Sequence, residues 1–268
     1  MGGAAPTRTQ RVDTVPAEDY RGTFAPWLPS PVPGDPLPPG WEGLYFPFAT
    51  GMDGLRPDGT PLGDAPPGID LPRRMYAGED TVFHRPIRFG DTVEQRVRQG
   101  RVTEKRGRSG RLVFADLERE YLVDGELAVR STWHDVFLEQ DAPPPPVRRA
   151  DPAGDRFHRL TPDSRHLFRF SAITFNTHRV HYDRDWAQRV EGLEDLLVHG
   201  PLTRLLMLDA VMAGGGPGRT PARCSFTATA PLFVDREITV GVTDGEDTAR
   251  AVAVADDGRL AAEATVHW

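Results

Sequence analysis

The chain has 268 residues, enough to bury a substantial core in one large domain or two small ones. Its 32 basic and 39 acidic residues leave a net charge of −7, with both signs interspersed and no basic stripe, so a nucleic-acid partner is not expected. One cysteine, Cys224, excludes an internal disulfide, and the longest apolar helical stretch, Leu202 to Ala213, is interrupted by Thr203, Arg204 and Asp209 and is too short to cross a bilayer. No signal-like apolar run occupies the first thirty residues, and arginine, proline, glycine and alanine are favoured over lysine, of which Lys105 is the only one. These features point to a soluble, cytoplasmic protein from a GC-rich bacterial genome.

In chain order, residues 1–40 hold nine prolines and read as a loop-rich arm, with room for a helical turn between Ala17 and Trp27. The aromatic stretch Trp41–Ala49 predicts a short buried helix, followed by a Gly/Pro/Asp loop to about Leu71. Three strands are predicted at 92–102, 112–123 and 126–138. Val113, Ala115 and Leu117 alternate with Asp116 and Glu118, the period of a sheet with one wet face. Gly107–Gly110 and the dipeptide Asp124-Gly125 are the predicted turns. Pro143–Pro146 predict a stiff linker.

Beyond the linker, 167–174 reads as a strand, 176–190 as a loop with a short helix, and Pro201–Ala213 as an amphipathic helix stopped by Gly214–Pro217. Strands are predicted at 222–230, 236–242, 248–255 and 260–268, with Asp244-Gly245 and Asp257-Gly258 as turns. Both halves read as a helix followed by antiparallel strands. Each helix needs a sheet to cover its apolar face, so two helix-wrapped sheets joined edge to edge are the simplest α+β arrangement. The division expected is an arm at 1–40, one half at 41–142, a linker at 143–150 and a second half at 151–268.

The most informative stretch runs from Phe175 to Ala187, followed by Val198-His199-Gly200-Pro201-Leu202. His181 has an ordinary pKa near operating pH and suits proton transfer. Equally, a lone histidine fills a core position or caps a helix. Asn176 can orient a water or hydroxyl, or simply close a turn. Arg179 can meet a substrate carboxylate or a neighbouring acid, and His178 can brace the loop. Asp183 is placed to N-cap the short helix after it. At His199-Gly200-Pro201, proline suits a first helical turn, and free N–H groups there suit an oxygen that gains charge. His178, His181 and His199 do not make a closed metal ligand set, and no Gly-rich phosphate loop follows a strand.

The run His181-x-Asp183-x-x-x-Ala187 resembles the hydratase motif of the MaoC-like enoyl-CoA hydratases. The fuller string from Thr174 to Asp183, with Val198–Leu202, is similar to the 3-hydroxyacyl-thioester dehydratases and the mesaconyl- and itaconyl-CoA hydratases. Leu71–Gly78 and Lys105–Phe114 resemble that family's N-terminal dehydratase-like domain. The resemblance covers roughly 36–268. It implies a double hotdog fold and reversible hydration of an enoyl thioester carried on coenzyme A or acyl-carrier protein. It further implies His181 as base with Asn176 beside it, and substrate contacts from Gly200, His199, His178 and Arg179. No cofactor or metal is implied, and a homodimer is left open. Arg73, Arg74 and Arg108 are candidates for the phosphates of coenzyme A. The wider family has an aspartate where this chain has Asn176, and asparagine cannot exchange a proton at neutral pH. That departure keeps two alternatives in view, a non-catalytic acyl-thioester-binding module and a hotdog thioesterase.

Overall fold

The computed structural model describes residues 7–107, 110–140, 142–143, 146–214 and 219–268. The first half consists of β1 (Thr7–Arg11), α1 (Val15–Phe24), a 3-10 segment at Trp41–Tyr45, β2 (Arg73–Phe83), β3 (Thr92–Gly107), β4 (Gly110–Val123) and β5 (Glu126–Leu138). The second half consists of β6 (Arg156–Leu160), α2 (Ser164–Thr174), α3 (Arg184–Arg189), α4 (Gly200–Met212), β7 (Arg223–Ala228), β8 (Ile238–Asp244), β9 (Thr248–Ala255) and β10 (Leu260–His267).

The strands form one antiparallel sheet in the order β1-β3-β4-β5-β2-β7-β10-β9-β8-β6. The order is a mirror image about the β2–β7 seam, where Gly78 pairs with Thr227 and Val82 with Arg223. The edge-to-edge joining expected from sequence is this seam. The β4–β5 hairpin turns at Asp124 and Gly125, both with positive φ, as an Asp-Gly hairpin turn requires.

The second-half helix α4 is buried on every side from Leu202 to Val211. It lies against β8, β9 and β10, where Ala249, Ala251 and Ala253 alternate on the buried face of β9 and leave room for it. Two of its residues are charged, and each has a reason to be inside. Asp209 accepts from the Tyr20 hydroxyl at 2.8 Å and the Trp41 indole at 2.9 Å, which ties the arm and the 3-10 segment to the helix. Arg204 donates to Thr81 Oγ1 at 2.6 Å and lies 3.4 Å from Glu79.

Several expectations are corrected. Residues 167–174 are not a strand but most of α2. Asp163 and His166 close a reciprocal capping box at its start, and Leu167 and Phe170 are its buried positions, three apart, whereas Phe168 points outward at 68% exposure. The Trp41–Ala49 helix is a single 3-10 segment ending at Tyr45, before Pro47. The Pro-rich arm is tied down: β1 pairs with β3, and Val12, Ala17, Tyr20 and Phe24 join the core. Strands β1, β2 and β6 were not anticipated. Arg108 and Ser109, Pro144 and Pro145, and 215–217 of the predicted helix stop lie outside the described residues.

Candidate active site

The site loop runs from the end of α2 to α3. Phe175 ends α2 with a left-handed φ of 50°, and Asn176 then accepts the His178 N–H through Oδ1 at 2.9 Å. That turn leaves the Asn176 amide group as a donor. A first-half loop braces the other side: Thr177 donates to the Gly59 carbonyl at 2.7 Å and the Arg179 N–H to the Asp58 carbonyl at 2.8 Å. Gly59 has φ +86°, and a Cβ there would meet the Thr177 carbonyl oxygen at 1.9 Å, so only glycine permits this approach.

His181 follows in a 3-10 turn and is 6% exposed. Its Nδ1 lies 2.7 Å from the Leu197 carbonyl oxygen. A carbonyl can only accept, so Nδ1 carries the proton and Nε2 keeps its lone pair. Burial and the neighbouring His178 push the His181 pKa down to about 3, against the Leu197 contact, which raises it. Burial also lowers His178 to about 3, helped by Arg74 and Arg56, and holds His199 well below the usual imidazole range. All three rings are therefore neutral at pH 7.

The structure brings these histidines together. His181 stacks on His199 with centroids 3.6 Å apart and planes 18° apart, and His178 meets His181 edge-on at 5.4 Å. His199 Nε2 lies 2.9 Å from Ser171 Oγ on α2, while its Nδ1 is buried without a hydrogen-bond partner. Stacked rings present faces to each other, so the lone pairs of His181 and His199 do not converge on one point.

His199 precedes Gly200, the first residue of α4, so the stack sets the base candidate beside that helix start. The Gly200 N–H has no intrahelical partner, and Pro201 has no N–H at all. Tyr76 of β2 covers this point: a Cβ on Gly200 would meet its ring at 2.4 Å. Tyr76 packs edge-on against Trp133 at 4.6 Å and donates to Glu79 at 3.1 Å.

A cavity of about 340 Å³ opens next to the helix start, between the 3-10 segment and the inner face of the first-half sheet. Asn176, Pro201, Arg204, Leu44, Leu117 and Trp133 are among its walls. Neither His181 nor Gly200 borders it, and the Tyr76 ring lies against Gly200. Asn176 also borders a second cavity of about 170 Å³ with Phe48, Gly59 and Thr177.

Other candidate residues are engaged elsewhere. Arg179 bonds Asp183 at 2.6 Å and lies over the Trp186 ring at 3.8 Å. Asp183 also caps α3 through the Trp186 N–H. Arg74 bonds Asp135 and Asp64, and Arg73 lies 3.6 Å from Glu191. Tyr76, Trp133 and Ser171 were not singled out from sequence. Tyr76 stands inside the Leu71–Gly78 run that carried the resemblance, which was the one signal for it.

A mirror-symmetric sheet, a buried helix in the second half and a histidine loop at its start define a double hotdog protein of the MaoC-like hydratase class. Its described fold matches HtdX of Mycobacterium tuberculosis with a TM-score of 0.71 at 19% identity, over 97% of this chain and 98% of that one. A second M. tuberculosis protein, reported to have a double hotdog fold, matches with a TM-score of 0.62 at 15% identity, over 99% and 96% of the two chains. The model of the hydroxyacyl-thioester dehydratase type 2 family matches residues 40–234, and the chain belongs to that family. It is 37% identical to mesaconyl-C(4)-CoA hydratase of Chloroflexus aurantiacus over 250 residues, covering 91% of this chain and 88% of the relative. No helix among the described residues is long and apolar enough to cross a membrane.

Proposed function

We propose that the protein is a hydro-lyase that adds water to an enoyl thioester of coenzyme A and removes it from the 3-hydroxyacyl thioester. The observation that carries this is the geometry of His181: the Leu197 carbonyl accepts from its Nδ1, which leaves Nε2 with a lone pair. In dehydration that nitrogen takes the α-proton, and the imidazolium so formed delivers the proton to the departing hydroxyl, which leaves as water. Hydration is the reverse. One histidine then does both transfers, which answers the absence of an acid at Asn176. The Asn176 amide, free to donate, orients the hydroxyl or the attacking water.

The thioester oxygen gains charge as the α-proton leaves. The unpartnered N–H at Gly200 and the positive end of α4 suit that charge. Substrate entry to this point requires the Tyr76 ring to move off Gly200. His199 keeps the His181 ring in place by stacking, and Ser171 orients His199. The family match and the hydratase relative support the reaction class. The acyl carrier in this reading is coenzyme A, as the relative's name says of that enzyme.

The test is crotonyl-CoA with purified protein, following the enoyl-thioester absorbance and free thiol together. Loss of absorbance without thiol is the expected outcome. Release of thiol would make the protein a thioesterase. No change with crotonyl-CoA and with a panel of other enoyl thioesters would leave the binding-module reading, which Asn176 motivates.

A further inference from the structure

A helix start that suits an enolate also suits a second reaction of the same ligand. A thioester oxygen at the Gly200 N–H gains charge when the α-proton leaves, and equally when water adds to the carbonyl carbon. In that second reaction the water oxygen bonds to the carbonyl carbon and the carbon–sulfur bond breaks. One proton of the water goes to the departing thiolate and the other to solvent, leaving a carboxylate. Water is itself the partner in hydration, so it cannot be kept out of the site altogether. It has to be kept off the carbonyl carbon while it reaches the acyl chain.

Tyr76 is placed to do this. The atoms nearest a Cβ on Gly200 are ring carbons of Tyr76, Cδ1 at 2.4 Å, Cε1 at 3.1 Å and Cγ at 3.3 Å. The phenol oxygen, the side chain's one polar atom, is engaged elsewhere and donates to Glu79 at 3.1 Å. Burial, and then Glu79, hold the phenol well above its ordinary pKa, so the hydroxyl keeps its proton and stays a donor. Tyr76 thus offers hydrocarbon to the helix start.

The ring is also held in place. Trp133 meets it edge-on at 4.6 Å and Phe226 stacks on it at 5.8 Å. Glu79 is buried and fixed in turn, with Ser131 donating to it at 2.5 Å and Arg204 lying 3.4 Å away. Arg204 stands one turn along α4 from Gly200, so the helix that presents the N–H also anchors the tether of the ring above it. β2 bulges between Tyr76 and Gly78, and a bulge re-aims a side chain at one point of a strand. A ring that only filled space at the seam would need neither a hydroxyl nor a buried carboxylate, and burying the carboxylate costs free energy.

We infer that Tyr76 is a specificity-determining residue that selects reaction at the acyl chain over hydrolysis of the thioester, by lying on the carbonyl carbon as a hydrocarbon screen. A thioester arriving at Gly200 displaces the ring, which stays tethered at Glu79 and rests on the thioester instead of leaving it open to water. This role rests on the hydro-lyase reading only for the presence of a thioester at Gly200, and its test uses a ligand that cannot be hydrated.

Butyryl-CoA has no double bond, so release of the coenzyme A thiol reads the screen alone. Calorimetry establishes that each protein binds it, and circular dichroism that each is folded. The wild type should release thiol no faster than a protein-free solution. Tyr76→Ala should release it at least about tenfold faster, as expected when water reaches a carbonyl backed by an oxyanion donor. Tyr76→Gln, similar in length but polar, should also release thiol and serves if the alanine variant does not fold. Tyr76→Phe keeps the ring between Trp133 and Phe226 and should stay nearer to the wild type than to Tyr76→Ala. A folded, ligand-binding Tyr76→Ala or Tyr76→Gln that releases no more thiol than the wild type would overturn the inference. So would hydrolysis by the wild type, or release from Tyr76→Phe as fast as from Tyr76→Ala. Absence of butyryl-CoA binding to the wild type would overturn it together with the hydro-lyase reading. A wild type that hydrates no enoyl thioester, beside a Tyr76→Ala that hydrolyses butyryl-CoA, would remove the hydro-lyase reading and leave the screen standing.

Discussion

The two halves share one strand order in mirror image and differ in what crosses the sheet. In the second half, thirteen residues of α4 fill the concave face, and its strands are six to eight residues long after the five-residue edge. In the first half a five-residue 3-10 segment takes the helix's place beneath strands of eleven to sixteen residues. The shorter segment leaves the cavity, whose wall is shared between residues 40–50 and the first-half sheet, with α2 and α4 closing the rest. A repeated unit has thus been divided: one copy keeps its helix and holds the histidines at the helix start, while the other gives up helix for volume. The loop at Gly59 and the ring of Tyr76 are where the first half touches the histidine-bearing second half.

The sharpest way to break that division is His181→Ala. Turnover of the best enoyl-CoA should fall by about two to four orders of magnitude with the far-ultraviolet spectrum unchanged. Near-native turnover would make His181 structural and place the chemistry elsewhere. Gly200→Val tests the contact between the halves. The added branch meets Tyr76 and blocks approach to the helix N–H groups, and turnover should fall by about two to three powers of ten. A Tyr76→Ala background, which removes the clash, shows whether the loss is steric or due to the blocked N–H.

Asn176 should matter less. It supplies one hydrogen bond, so Asn176→Ala should cost roughly 1–3 kcal/mol of transition-state stabilisation, or about fivefold to 150-fold in kcat/KM. Asn176→Asp should stay active, since it restores the residue of the wider motif. An inactive parent that gains hydration on Asn176→Asp would instead mark a site that has lost its chemistry.

The division also predicts unequal packing. Leu202 is fully buried in α4, whereas Leu44 borders the cavity with one side already empty of partners. Cost rises with the void created, so Leu202→Ala should destabilise by about 4 kcal/mol and Leu44→Ala by about 2 kcal/mol, read from urea midpoints. Equal losses would mean that the first half is as tightly packed as the second.

What the sequence made legible follows from the same physics. β4, with one wet face, alternates cleanly and was read to within two residues of its start. β2 was missed because it is flanked by β5 and β7, contains Gly78 and pairs through a bulge between Tyr76 and Gly78, so no simple period-2 pattern survives. The edge strands β1 and β6 are five residues each and lean on partners far along the chain. α2 was misread because Phe168 and Phe170 imitate a strand period, although Asp163 and His166 carried the helix signal. At the candidate site, the resemblance pointed to His181, Asn176 and Gly200, and the fold places His181 against His199 beside the start of α4. The resemblance could not reveal that Tyr76 lies on Gly200, since that depends on a strand folding across from the other half of the chain.

Histidines distinguish the two regions by pH, with the smallest expected effects. His178, His181 and His199 are favoured as neutral forms in the folded protein. Below the ordinary value of 6.5 the unfolded chain binds more protons than the folded one, so they make stability fall as pH drops from about 6.5 towards about 3. His134, in the first half, behaves oppositely. It lies 3.2 Å from Asp80 and 2.7 Å from Asp116, and these acids raise its pKa to about 9 against partial burial. Its folded form holds a proton that the unfolded chain releases above 6.5, so its contribution is complete below 6.5 and lost as pH rises through about 9. The pair is partly solvent-exposed, so the contribution is under about 1 kcal/mol. His134→Ala should therefore lower the urea midpoint slightly at pH 6 and leave it almost unchanged at pH 9.5. The variant also removes the cation between Asp80 and Asp116, although Arg101 stays 3.7 Å from Asp116, and added salt should screen part of the loss at pH 6. An equal, salt-independent loss at both pH values would mean that His134 stabilises by packing alone and that the charge difference between the halves does not contribute there.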